Sequence, residues 1–157
     1  MSQISANNDA AEIRFMVLNA NAKVPAYAQQ GDAACDLVSC DEVEILPGGR
    51  EVVGTGIAVE IPIGFAGFLL PRSGIALRAG VTLMNSPGLI DSGFRGELKV
   101  VLYNSDNTNS FKVRVGDRIA QLIVLAVPKM IFTQASTLSD TERGGGGFGS
   151  TGTTALG

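Results

Sequence analysis

Apolar residues in this chain fall into short runs, and glycine or proline interrupts nearly every one of them. That rhythm constrains the fold more than any other feature. Short β-branched runs bounded by turn residues read as strands, whereas an amphipathic helix needs a longer unbroken 3.6-residue period. Strands are expected over Glu12 to Leu18, Ala33 to Ser39 and Val43 to Leu46, the last closed by Pro47-Gly48-Gly49. EVVGTGIAVE (51–60) and GELKVVLY (96–103) are rich in strand formers. FKVRV (111–115) alternates as a half-buried strand does, and RIAQLIVLAV (118–127) is apolar enough to suggest burial on both faces. SGIALRAG (73–80) differs: a capping-type serine, helix formers and a closing glycine predict one short helix. Many short strands and a single helix predict an all-β closed barrel or double-sheet jelly roll. Asn104 to Ser110 reads as a polar turn. Residues 1–11 read as a loose leader, 12–132 as the barrel, and 133–157 as a glycine-rich tail.

The 157 residues suit one domain, and 45% apolar against 17% charged residues fits a globular chain. A net charge of −3 with scattered basic residues argues against a nucleic-acid surface but leaves room for a small polyanion held by a few arginines. The longest apolar stretch, Val52 to Leu70, is broken by Glu60, Pro62 and several glycines, which excludes a membrane-spanning helix there. Cys35 and Cys40 fit no zinc or redox spacing, and a cytoplasmic protein with reduced thiols is the expectation. There is no histidine. Proton transfer near neutral pH then falls to a carboxylate, lysine, tyrosine, cysteine or metal-bound water.

Five segments carry groups suited to phosphate chemistry. PRSG (71–74) offers the guanidinium of Arg72, the hydroxyl of Ser73 and the bare backbone of Gly74, at a helix start where an anion is favoured; an ordinary helix opening would look the same. NSPGLIDSGFRG (85–96) has turn pairs flanking Leu89 and Ile90, so that a hairpin could offer backbone groups to a planar base. There Asp91 is either a general base or a turn-forming aspartate. AACDL (33–37) sets Asp36 at a polar strand position, open either to solvent or to a water-coordinated Mg²⁺. GDRIAQL (116–122) places Gln121 in an apolar strand, where its amide bonds either backbone or ligand. RGGGGFGSTG (143–152) reads as a flexible end or as a phosphate wrap with Arg143 and Phe148.

In this order the five segments resemble the five motifs of the trimeric dUTP pyrophosphatase (dUTPase) family, over Ala33 to Gly152. The resemblance implies a jelly-roll-type β-barrel of the β-clip kind. It implies a homotrimer whose three active sites lie between subunits and are closed by the C-terminal tail of another copy. It also implies Mg²⁺-dependent cleavage of dUTP to dUMP and pyrophosphate, which limits uracil in DNA and supplies the thymidylate precursor. By similarity Asp91 would activate the attacking water and Asp36 would hold the metal through water. Arg72, Ser73, Gly74, Gln121 and Arg143 would bind the phosphates. Asn85 and the backbone of Gly88, Leu89, Ile90 and Asp91 would read uracil, Phe148 would stack on it, and Lys99 would stand in the substrate site. Two positions depart from the family pattern: Phe94 replaces the usual tyrosine against the deoxyribose, keeping the flat face without the phenol oxygen, and Ala34 replaces a glycine. The alternatives on the same fold are a dCTP deaminase-like enzyme, disfavoured by Arg95 in IDSGFRG and by the closing tail, and a non-catalytic nucleotide-binding regulator.

Overall fold

The computed structural model describes residues 11–147. Ten strands and one helix follow in chain order: β1 (Arg14–Val17), β2 (Cys35–Val38), β3 (Val43–Ile45), β4 (Arg50–Glu60), β5 (Phe65–Leu70), α1 (Ser73–Ala79), β6 (Val81–Leu83), β7 (Gly88–Ile90), β8 (Glu97–Asn104), β9 (Phe111–Val113) and β10 (Arg118–Ala126). They form two four-stranded antiparallel sheets, β1-β4-β8-β6 and β2-β10-β5-β7, with β3 and β9 as a separate pair. Consecutive strands keep crossing from one sheet to the other, as a double-sheet jelly roll requires. Among the described residues no helix is long and apolar enough to cross a membrane.

Strand alternation builds the core. On β8 Leu98, Val100 and Leu102 turn inward while Lys99 turns out, the period of two expected of a pleated strand. They meet Ile57 and Val59 from β4 and, from the opposing sheet, Leu37, Leu69, Ala120 and Leu122. The strand ends in the buried Asn104, whose Nδ2 donates to the carbonyls of Ile45 and Asn109 and whose Oδ1 accepts from the Asp106 amide. One satisfied amide thus ties β3 to the polar turn that follows β8. Within that turn Asp106 accepts from the Thr108 and Asn109 amides, which pull its carboxyl well below the usual range.

The register of β4 shifts between Gly54 and Ala58, where it bulges against β8. Gly56 sits in this bulge at φ 66°, and a Cβ there would stand 2.7 Å from the Cβ atoms of both Ala22 and Asn19. Backbone strain and overpacking act together at such a position. Gly56→Ala is expected to cost about 2–4 kcal/mol of stability, read from the urea midpoint at unchanged slope; an unmoved midpoint would mean the 19–22 loop can retreat.

The long expected strands match the structure, but three local expectations do not, and one strand was not foreseen. Ser73 is not a cap: Arg72, extended at φ −94° and ψ 123°, occupies that position, no side chain caps the helix, and Ser73 is the first helical residue. The chain leaves β5 extended, so the change of conformation falls one residue earlier than the serine. The helix does end on Gly80 in the left-handed region, whose N–H reaches the Ala76 carbonyl. The segment 85–96 does not fold back on itself as a hairpin, because its strand β7 pairs with β5 while β6 pairs with β8. FAGFLL (65–70) is a strand although glycine interrupts it; a Cβ on Gly67 would come 2.8 Å from Ile61 Cδ1, so close core packing selects glycine there. Finally, β10 is enclosed at Ile119, Ala120 and Leu122, but Leu125 is 46% exposed in this chain.

Candidate active site

The sheet β2-β10-β5-β7 lines up the phosphate-type residues. Gln121, central on β10, registers with Asp36 on one side and with Leu70 on the other. Leu70 ends β5, and two residues later Arg72 precedes α1. Sequence-distant groups therefore meet because the antiparallel register sets Asp36 and Leu70 on either side of Gln121. Arg72 Nε donates to Asp36 Oδ1 at 3.1 Å and its Nη1 donates to the Arg118 carbonyl at 3.0 Å. Arg118 Nη1 donates to Asp36 Oδ2 at 2.9 Å. The Asp36 carboxylate is nearly buried, with its side chain 11% exposed, while those of Arg72 and Arg118 are 21% and 50% exposed. One carboxylate thus fixes two guanidinium groups, each keeping donors for an incoming anion.

Two cavities flank Arg72. One, of about 520 Å³, is lined by Gln29, Asp32, Ala34, Asp36, Arg72, Arg118 and Gln121, among others. Its size suits a small-molecule cleft. The other, of about 420 Å³, lies along α1 and includes Gly74, Arg78, Arg114 and Asp117 beside Arg72 and Arg118. Arg72, Asp36 and Gln121 are brought to one cleft, where Asp36 is neither a solvated strand position nor free of protein partners but bridges two arginines, and Gly74 lines the second cavity beside Arg72. Arg118, Arg78 and Asp32 escaped that reading. Arg118 lies within GDRIAQL itself, three residues before Gln121, and its place in a segment already singled out was the available signal.

The base-type residues lie elsewhere in the chain. Asn85 packs its amide over Gly88, where a Cβ would come 3.4 Å from Asn85 Nδ2 and 3.2 Å from Leu69 Cβ. Leu89 is 59% exposed and Asp91, just past β7, is exposed. The Asp91 carbonyl accepts from the Phe94 amide at 3.0 Å, and the Phe94 ring lies over Gly96, where a Cβ would sit 2.7 Å from Cζ. Gly88 registers with Leu69 and Ile90 with Gly67, so Asp91 runs away from Leu70 by roughly 13 Å of strand rise. Neither cavity around Arg72 is lined by any residue from 85 to 99. Lys99 stands on the other sheet, paired with Glu97 at 3.5 Å. Arg143 turns back on its own tail, its Nε donating to the Gly146 carbonyl, and lines neither cavity. Phe148, Ser150 and Thr151 lie outside the described residues.

With no histidine in the chain, the two thiols are the remaining soft nucleophiles. Burial pushes the Cys35 thiol up, and the neighbouring Asp36 charge adds to this against an opposing hydrogen bond with Tyr27. Cys40 is raised by burial first and then by Asp41. Thiols held protonated are poor nucleophiles, which sets both cysteines aside as candidates.

The dUTPase family model matches residues 20–152. The deoxyuridine 5'-triphosphate nucleotidohydrolase of Thermobifida fusca is 49% identical over 140 residues, covering 89% of this chain and 78% of that one. The Corynebacterium diphtheriae protein of the same name is 50% identical over 129 residues, covering 82% and 85%. Among solved structures, the dUTPase of Staphylococcus bacteriophage 80alpha with dUpNHpp superposes with a TM-score of 0.84 at 28% identity, over 90% of this chain and 99% of that one. The motif order, the double-sheet fold and these relatives agree: the chain belongs to the dUTPase family and is a dUTP nucleotidohydrolase.

Proposed function

We infer that dUTP is hydrolysed in a site shared between copies of this chain, assembled as a homotrimer. In that site the cleft at Arg72 takes the triphosphate and residues 85–94 of a neighbouring copy take the nucleoside. The observation that carries this reading is the separation within one chain of Asp91 from the Asp36–Arg72–Arg118 network, on diverging stretches of the same sheet. A general base must come within hydrogen-bond reach of its water, and a second copy supplies what one chain keeps apart.

Arg72, Ser73, Gly74 and Gln121 bind the phosphates. Asn85 with the backbone of Gly88 to Asp91 reads uracil, and the Phe94 ring lies against the deoxyribose. Asp91 takes a proton from the water that attacks the α-phosphorus; the bond to the α,β-bridging oxygen breaks and pyrophosphate leaves. Charge neutralisation and positioning contribute most to such a transfer. The tail from 133 onward closes the site, Arg143 on the terminal phosphate and Phe148 on the base; Lys99 has a lesser part at its edge. Mg²⁺ is the metal of this reading. Among the described residues no group of three metal-ligating side chains exists, so a caged ion does not fit. An ion carried by the phosphates and touched through water does, because each Asp36 oxygen accepts only one of the two hydrogen bonds that its lone pairs allow. Such an ion, when bound, neutralises phosphate charge and orients the leaving group.

Mixing two inactive variants tests the shared site. Asp91→Asn and Arg72→Ala chains, each feeble alone, are expected to regain about a quarter of wild-type turnover after co-refolding in equal amounts, the random-pairing fraction for sites built from two copies. A site complete within one chain would regain nothing.

A further inference from the structure

Arg78 lies in the last turn of α1, where a cation normally complements the carbonyl end of the helix. Its guanidinium does the reverse. It folds back one turn over Gly74, so that a Cβ on that glycine would stand 3.1 Å from Nη2 and 3.3 Å from Nη1. In this position it shares a cavity with Arg72 and Arg118. No ion pair and no side-chain hydrogen bond among the described residues involves Arg78. Asp36 compensates only one of the two charges on Arg72 and Arg118, and Asp117 is the one carboxylate lining the cavity, which Arg114 also enters. Cations gathered this way repel one another in the empty protein and are relieved by a multiply charged anion.

We propose that Arg78 is a further guanidinium of the triphosphate site, and that a side chain at position 74 would displace it. This rests on the phosphates occupying the Arg72 cleft. Arg72 and Arg118 are held by Asp36 and cannot follow the ligand far, whereas Arg78 has no protein acceptor to give up. Its guanidinium has five N–H donors suited to phosphate oxygens. It shares its cavity with Arg72, which takes phosphate in this reading, so its contribution should scale with the number of phosphates. The geometry also gives Gly74 a second task besides letting a phosphate approach the backbone. The atoms nearest an alanine methyl belong to the mobile end of Arg78, so the variant should fold normally while the guanidinium swings out.

Binding of α,β-imido-dUTP and of dUMP, measured calorimetrically on the full chain, tests the proposal. Arg78→Ala should weaken the triphosphate analogue about 10- to 100-fold, the worth of one charge-assisted hydrogen bond, and change dUMP by less than about twofold. Gly74→Ala should weaken the analogue in the wild-type background and by a clearly smaller factor when Arg78 is already alanine, the remainder being the lost approach of phosphate to the backbone. Wild-type affinity in Arg78→Ala, or an undiminished Gly74→Ala effect in the double variant, would overturn it. Arg72→Ala is the control for the cleft itself: if it also binds the analogue normally, the phosphates lie elsewhere and the underlying reading fails first.

Discussion

Asp91→Asn should bind dUTP nearly as the parent does while turnover falls by about 10²- to 10⁴-fold, the usual worth of a positioned general base. The substitution is isosteric, and asparagine shares the turn preference of aspartate. Among the described residues, the hydrogen bond that closes the 91–94 turn is made by its backbone carbonyl, which accepts from the Phe94 amide, and that bond is untouched. The side chain is exposed in the single chain, so no packing is lost. A defect confined to kcat, with KM unmoved, is what removal of a group acting only in the transition state looks like. Proton release in weakly buffered solution measures it directly, because hydrolysis near neutral pH liberates acid. If kcat holds, the proton leaves the water by another route and Asp91 is a turn residue.

Asp36→Ala is the second large expectation, and it separates two roles for one carboxylate. Its side chain is 11% exposed and bridges two arginines. Removing it leaves their charges facing each other, with Arg72 anchored only to the Arg118 carbonyl. Breaking a buried ion pair from one side typically costs about 3–5 kcal/mol; because the Arg118 side chain is half in solvent, about 1–3 kcal/mol is expected here. KM for dUTP should rise in the same variant because Arg72 is no longer held in place. Urea unfolding and steady-state kinetics read the two effects. A carboxylate that served the metal alone would instead alter the Mg²⁺ dependence and leave the unfolding midpoint where it was.

The long strands were legible because their length and β-branched content leave little choice. EVVGTGIAVE and GELKVVLY are found as Arg50–Glu60 and Glu97–Asn104, each within a residue of expectation. Strands of three residues, such as VTL and GLI, are too short to show a period, and their pairing is settled by tertiary contacts. FAGFLL was hidden by a glycine whose reason, the approach of Ile61, exists only in the folded chain. Ser73 misled because a residue type that often caps was credited with a cap, when the backbone turn occurs at Arg72. At the site, Asp36, Arg72 and Gln121 could be singled out from residue type and motif order, though not the bridge that Asp36 makes between two arginines. Their convergence could not, since it depends on the pairing of β2, β10 and β5. Arg78 was invisible for a related reason: on a helical pattern it is a surface cation, and only the bare Cα of Gly74 shows where its guanidinium goes.

Asp36 and Arg118 are 82 residues apart in the chain, and the strand that brings them together is the last of the ten among the described residues. A ribosome adding about 5–20 residues per second leaves that aspartate without its second arginine for roughly 4–16 s. For the first part of that interval the emerging polypeptide lacks Arg72 as well, and throughout it has neither Arg118 nor Gln121, so substrate has nothing complete to grip. Nucleotide therefore cannot act as an early folding template during synthesis, and its stabilising influence begins only once β10 has left the exit tunnel.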